Sequence, residues 1–284
     1  MSNAKGLLRR AIRATGFDVV RLTAMQPSGA GDSSSAEGSS RTFFPRETDR
    51  RRFKPWPVPE DLRQNPEPWA RLLAKLYTKP ASWPACVSPE TGMFIHTLVR
   101  NIRPRVIVET GTCHGASTIW MAAALARCAA AGERAGVIHT FDNFLPPHEA
   151  WRANMPLYRD RLQKVRGRFR QCGFESLITI HVGDSADGIT AARPVLNAAG
   201  GVQLAFIDGD HRPTGVRRDF EAVEPCLNIG GYILLHDVFP DQCNWTGPRW
   251  LADNIHSFAA GRYECCNIYT SPLNYGVTLL RRTS

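Results

Sequence analysis

Between Val106 and Asp237 five short apolar runs alternate with helical stretches, and this alternation constrains the fold more than any other feature of the chain. The runs are Val106–Glu109, Val137–Asp142, Ile178–Gly183, Leu204–Asp208 and Gly231–His236. Strands separated by helices pair in parallel, because the chain must travel back along a sheet face before it can run the same way again. The expected fold class is therefore α/β, a doubly wound Rossmann-like sheet. "ECCNIYT" and "YGVTLLRR" read as two late strands, an antiparallel C-terminal hairpin at the sheet's end. "PETGMFIHTLVRNI" reads as a helix ahead of the first strand.

This core spans residues 88–284. Ahead of it lie three segments of different composition. Residues 1–26 contain a basic amphipathic helix, in which Leu7, Leu8, Ala11 and Ile12 share one face while Arg9, Arg10 and Arg13 lie elsewhere. Such a helix over residues 5–22 suits peripheral contact with an anionic membrane, and suits equally well packing on the protein or on a second subunit. Residues 27–41 are a Gly/Ser-rich flexible linker. Residues 42–87 are rich in Pro, Arg and Trp and form a cap or extension around the helical patch "PWARLLAKLY".

The net charge of +9 is concentrated at the start: residues 1–60 hold 11 Lys+Arg against 6 Asp+Glu. The remainder is nearly balanced, which argues against a nucleic-acid groove across the core. Eight cysteines contain no C-x-x-C pair, so they read as reduced apolar residues rather than a structural zinc site. No secretory signal and no apolar run of about 18 residues is visible. The expected location is cytoplasmic, with the inner membrane face as the peripheral alternative.

Four of the strand candidates end on or beside an acid, namely Glu109, Asp142, Asp208 and Asp237, and Asp184 stands just past the fifth. In an open α/β sheet, ligands bind outside the carboxyl ends of the strands. A single strand-end Asp is often only a helix cap, but five in succession point to one crevice. The first turn, "ETGTCHG", has glycines without the G-x-G-x-x-G spacing of a pyrophosphate site, and its carboxylate would repel phosphate. A cationic ligand with a ribose fits better: S-adenosylmethionine carries an ammonium, a sulfonium, a ribose and an adenine.

"VIVETGTCHGAS", "HTFDNF", "HVGDSADGI" and "LAFIDGDHRPTGVRRDFEAVEPCLNIGGYILLHDV" together resemble the class I S-adenosylmethionine-dependent methyltransferases. The closer resemblance is to the methyltransferase domain 24 branch, similar to macrocin-type sugar O-methyltransferases and to the cephalosporin-hydroxylase-like group. It covers about residues 88–282. The resemblance implies that Glu109, Gly111 and Gly115 form the methionine-side turn, with hydrogen bonds from Thr110, Thr112 and Ser117. It implies that Asp142 holds the ribose beside Asn143, that Asp184 and Ser185 border adenine, and that Asp208 lies under the reacting methyl group. For Ser117 a helix-start cap is the simpler reading.

Methyl transfer is an in-line displacement that requires alignment and a deprotonated acceptor. The candidates for the second task are Asp208, Asp210, His211, His236 and Asp237. Related O-methyltransferases hold magnesium with an Asp after the fourth strand and an Asp-Asp or Asp-Asn pair after the fifth. Here the pair is His236–Asp237. Magnesium prefers oxygen ligands, which leaves three alternatives: another divalent ion such as manganese held by Asp208, His236 and Asp237; a histidine base, His211 or His236; or histidines that are merely hydrogen-bonded structural groups. The stretch 143–174 reads as an acceptor wall or as a solvated basic helix, and Asn244, Trp245 and Arg249 are expected near the crevice. The expected activity is O-methylation of a small-molecule or glycan hydroxyl, with a homodimer as the expected assembly. The alternatives are N-methylation, hydroxylase-like chemistry and a non-catalytic cofactor-binding module.

Overall fold

The computed structural model describes residues 18–19, 56–79, 82, 85–145, 160–243, 245–269 and 275–284. Its first element is the two-residue strand β1 (Asp18–Val19). Helices α1 (Glu60–Gln64), α2 (Pro68–Tyr77) and α3 (Pro89–Ile102) follow. Then come β2 (Val106–Thr110), α4 (Ala116–Ala130), β3 (Val137–Asp142), α5 (Arg161–Cys172), β4 (Ile178–Val182), α6 (Ser185–Ala198), β5 (Val202–Ile207), α7 (Pro213–Val223) and β6 (Leu227–His236). The short α8 (Pro240–Cys243), α9 (Gly247–Asn254), β7 (Tyr263–Tyr269) and β8 (Val277–Arg282) complete the chain.

One sheet runs in the order β1-β7-β8-β6-β5-β2-β3-β4. Its central block from β4 to β6 is parallel, and β8 and β7 attach antiparallel at one side. The late pair thus lies where the sequence places it, except that β1 extends the sheet beyond β7, with Asp18 opposite Tyr269. Asp18 and Val19 are therefore extended rather than helical. The rest of the expected 5–22 helix and the whole 27–41 linker lie outside the described residues.

The central strands are apolar on both faces, as buried parallel strands must be. Ile107, Leu204, Phe206 and Leu234 join one core with α2, α3 and α4. Their neighbours Val106, Val108, Ala205, Ile207, Ile233 and Leu235 join the other with α6, α7 and α9. Alternate residues feed opposite layers because the side-chain period of a strand is two. Residues 56–77 pack into the first core through Trp56, Leu62, Trp69, Leu73 and Tyr77. The Trp120 indole on α4 donates to the Tyr77 hydroxyl at 2.9 Å. Ser88 caps α3 by accepting from the Thr91 amide, with Pro89 at the first helical position.

At the far edge β4 is half exposed, and there His139 and His181 share a hydrogen bond of 3.0 Å between adjacent strands. Phe141 stacks on the His181 ring at 4.2 Å. Burial lowers both imidazoles from their ordinary value of 6.5, and His181 lowers His139 further. A ring whose folded pKa is depressed takes up protons more readily when the chain unfolds. Its contribution to stability is therefore complete above pH 6.5 and is lost as the pH falls below that value. Thermal unfolding of His181→Gln between about pH 7.5 and pH 5 is expected to show a flatter acid limb than the wild type. An equally steep limb would move the acid sensitivity elsewhere.

Candidate active site

The winding of the parallel block reverses between β2 and β5, since β3 and β4 lie to one side and β6 to the other. Loops leaving the carboxyl ends of β2 and β5 diverge at such a point and open a crevice between them. The two loops touch at Gly111. Its φ of +85° lies in the left-handed region, and a Cβ there would stand 2.2 Å from the Asp208 carbonyl oxygen. The Asp208 amide in turn donates to the Thr110 carbonyl at 3.1 Å. Gly115 opens α4, and a Cβ there would meet the Phe169 ring at 2.8 Å. Helix α5 therefore lies directly on the turn.

Glu109 is fully buried beneath this turn instead of facing the crevice. Ser117 and Thr118 on α4 and Thr140 on β3 donate their hydroxyls to it at 2.5, 2.6 and 2.6 Å. Burial raises the carboxyl to about 7 although the three hydroxyls oppose the shift. Its role is to brace the turn, and the expected contact with a ligand ammonium has no accessible surface to use. Thr110 is fully buried. Thr112 pairs with Thr140 through their hydroxyls at 2.5 Å.

Asp142 does reach the rim. Its Oδ2 accepts from the Cys113 amide at 2.7 Å, and its Oδ1 accepts from the Phe144 amide at 2.5 Å and from Arg161 at 2.7 Å. The ion pair with Arg161 is nearly enclosed, the two side chains being 5% and 9% exposed. Asn143 closes a local turn by accepting from the Leu145 amide. Asp184 caps α6 through the Asp187 amide and pairs with Arg218, while the Ser185 hydroxyl donates to Asp219 on α7 at 2.5 Å. Asp184 thus serves the helix start and an ion pair, and Ser185 ties α6 to α7.

The loops after β5 and β6 bring four of the candidates together. His211 Nε2 stands 3.2 Å from Asp208 Oδ1 and 3.0 Å from Asp237 Oδ2. His236 Nδ1 stands 3.0 Å from Asp208 Oδ1 and 3.0 Å from Asp237 Oδ1. Burial alone would lower both rings, but the Asp237 and Asp208 carboxylates outweigh it and raise His211 to about 10 and His236 to about 9. Burial alone would likewise raise Asp208, yet the two histidines hold it at about 2. Asp237 has φ +58°, an unusual conformation for a non-glycine residue and one that collects at functional sites. Asp210 is not part of the cluster, because its carboxylate pairs with Arg212.

Donor atoms of Asp208, His211 and Asp237 lie within 4.8 Å of one another, close enough to share one cation. The expected trio has His236 in place of His211, and the His236 Nδ1 also lies 3.0 Å from an oxygen of each carboxylate. His236 is 7% exposed against 18% for His211, and it sits behind the carboxylates. The Trp245 indole lies 5.4 Å from the His211 ring and walls it, while Asn244 is outside the described residues. Arg249 pairs with Asp253 on its own helix.

Sequence reasoning missed Thr118, Thr140, Arg161 and Arg168. The two arginines sit in the basic stretch that reads either as an acceptor wall or as a solvated helix. Their signal is spacing: Arg161 shares the buried stripe of α5 with Val165, Phe169 and Cys172, and Arg168, three residues after Val165, is partly buried beside it.

Replacing Glu109 with Ala removes the acceptor of three buried hydroxyls. Denaturant unfolding of Glu109→Ala is expected to show a loss of about 3 kcal/mol. An unchanged midpoint would mean that the hydroxyls find other partners.

A family model described as a methyltransferase domain matches residues 108–238, from the middle of β2 to just past Asp237. Among solved structures, the chain is similar to the O-methyltransferase TomG from Streptomyces achromogenes, involved in tomaymycin synthesis and solved in complex with SAM. The identity is 20% over 78% of this chain and 92% of that one, with a TM-score of 0.54. A putative O-methyltransferase from Klebsiella pneumoniae gives 21% identity over 78% and 91%, with a TM-score of 0.52. An O-methyltransferase from Bacillus cereus in complex with SAH gives 16% over 86% and 94%, with a TM-score of 0.52. Likeness at this level of identity establishes the fold. Residues 108–238, which hold the glycine turn and the histidine–carboxylate cluster, match the model of a methyltransferase domain, and the chain shares its fold with the S-adenosylmethionine-binding O-methyltransferases it resembles.

Proposed function

We propose that the chain transfers the methyl group of S-adenosylmethionine to a hydroxyl oxygen of a small molecule or glycan, with a divalent cation at Asp208, His211 and Asp237. The observation that carries this reading is geometric: donor atoms of Asp208, His211 and Asp237 converge within 4.8 Å of one another at the carboxyl edge of the sheet. Two carboxylates face two imidazoles held at about 10 and 9, so both rings are protonated near neutral pH and the group sums to zero. Neither ring is then free to accept a proton from an acceptor hydroxyl, which weighs against the histidine-base alternative. A divalent ion carries the same charge as the two protons. Two carboxylates and an imidazole suit manganese or a similar first-row ion better than magnesium. Bound there, such an ion supplies Lewis acidity that lowers the pKa of a coordinated hydroxyl.

The residues of the chain supply the remainder. Asp142 spends three of the roughly four lone-pair positions of a carboxylate, leaving one for a ribose hydroxyl. The Gly111 turn keeps side chains out of the gap between β2 and β5, so that a ligand can approach the main chain. His236 lies behind both carboxylates and orients them toward the crevice. Titration of the metal-free protein with Mn²⁺ at pH 8 is expected to release about one to two protons per ion. Asp237→Asn is expected to weaken that binding about tenfold or more. Undiminished methyl transfer after exhaustive chelation would remove the metal from the reading.

The basic, amphipathic start of the chain further supports contact with an anionic membrane. β1 runs antiparallel to β7 with Asp18 opposite Tyr269, which puts Asp18 at the end of the sheet where the cluster lies. Phosphatidylglycerol vesicles are expected to co-sediment the full chain and not a version lacking residues 1–17, whereas phosphatidylcholine vesicles capture neither. Equal capture of both versions would rule this contact out.

A further inference from the structure

The hydroxyls around the turn between β2 and α4, and the Cys113 amide, are already committed. Thr112 is spent on Thr140, Ser117 and Thr118 on Glu109, and the Cys113 amide on Asp142. One cation nevertheless reaches the turn. Arg168 is a partly buried residue of α5, one turn from Val165 and beside Phe169, the residue packed on Gly115. Its Nη1 donates to the His114 carbonyl at 2.9 Å. Cys86 and Cys113 are the groups near enough to act on its charge, and Cys113 lies within electrostatic reach of both Asp142 and Asp208. Arg168 therefore borders the turn itself.

Its surroundings contrast with those of Arg161 seven residues earlier. Arg161 is neutralised by Asp142, whereas no described carboxylate pairs with Arg168. Burial pulls its guanidinium below the ordinary arginine value, and only two thiols oppose that shift. A half-buried guanidinium without a counter-ion is costly to keep, and it regains favourable energy once an anionic group supplies the missing partner. A guanidinium matches a carboxylate in shape, since two of its N–H groups can meet both oxygens.

We infer that Arg168 is a binding residue for the methyl donor, pairing with the carboxylate of its methionine moiety over the Thr112–Gly115 turn. This rests on the reading that the crevice takes S-adenosylmethionine. The arginine supplies the anion contact that the turn's inward-facing hydroxyls leave unmade. The nucleoside half of the donor is held independently of it.

Calorimetry with two ligands tests this on the full chain. S-Adenosylhomocysteine carries the amino-acid carboxylate, whereas 5′-methylthioadenosine keeps the adenosine and sulfur but lacks it. Arg168→Gln is expected to weaken S-adenosylhomocysteine about 10- to 100-fold and to leave 5′-methylthioadenosine unchanged. Arg168→Lys, which retains the charge, is expected to recover part of the loss and to melt at the wild-type temperature. Unaltered affinity of Arg168→Gln for S-adenosylhomocysteine overturns the inference, and so does a parallel loss for both ligands, which would mark Arg168 as a structural residue. If the wild type binds neither compound, the functional reading fails first and the inference falls with it.

Discussion

The Cα of Gly111 rests against the main chain of Asp208, and the rim of the sheet is arranged around that contact. It joins the two halves of the winding at the place where their loops would otherwise part. A side chain there would push apart the glycine turn that begins α4 and the loop that carries Asp208 and His211. Glu109 reinforces the joint from below. It ties β2 to α4 and to β3 through three hydroxyls, at the cost of burying a carboxyl that burial raises to about 7. The site owes its shape to this concealed brace as much as to the residues that line it.

Much of the architecture is legible in the sequence because parallel strands buried on both faces leave an unmistakable pattern of apolar runs. The row of strand-end acids is legible too, though only as positions. A place at the carboxyl end of a strand says where a Cα lies and nothing about where its carboxylate points. Glu109 is two residues from Ile107 and so shares its face of the sheet, toward α4 and its hydroxyls. That parity, together with consecutive Ser117 and Thr118 at the start of α4, would have identified Glu109 as interior. Asp184 is the helix cap that a strand-end Asp most often is.

Asp208, His211, His236 and Asp237 were recognisable as a group from "IDGDH" and "LLHD". Their division of labour was not. His236 continues the buried alternation of β6, whereas His211 stands on a loop beside Trp245, and this difference in exposure decides which imidazole faces the crevice. The arginines of α5 were hidden for another reason. A helix this rich in charge reads as solvated on composition, and only the stripe through Val165, Phe169 and Cys172 turns Arg161 inward and leaves Arg168 partly covered.

The electrical silence of the resting cluster also bears on how ligands arrive. Two negative and two positive groups packed within a few ångströms cancel at any distance comparable to the screening length of physiological saline, about 8 Å. The mouth of the crevice therefore sends out almost no field from its chemical centre. At long range the surplus of arginine and lysine elsewhere on a chain of net charge +9 attracts anionic acceptors and opposes the approach of the cationic donor or a metal ion. Ionic strength should accordingly govern how fast ligands are gathered, while the affinity that develops at the cluster after contact should be nearly indifferent to it.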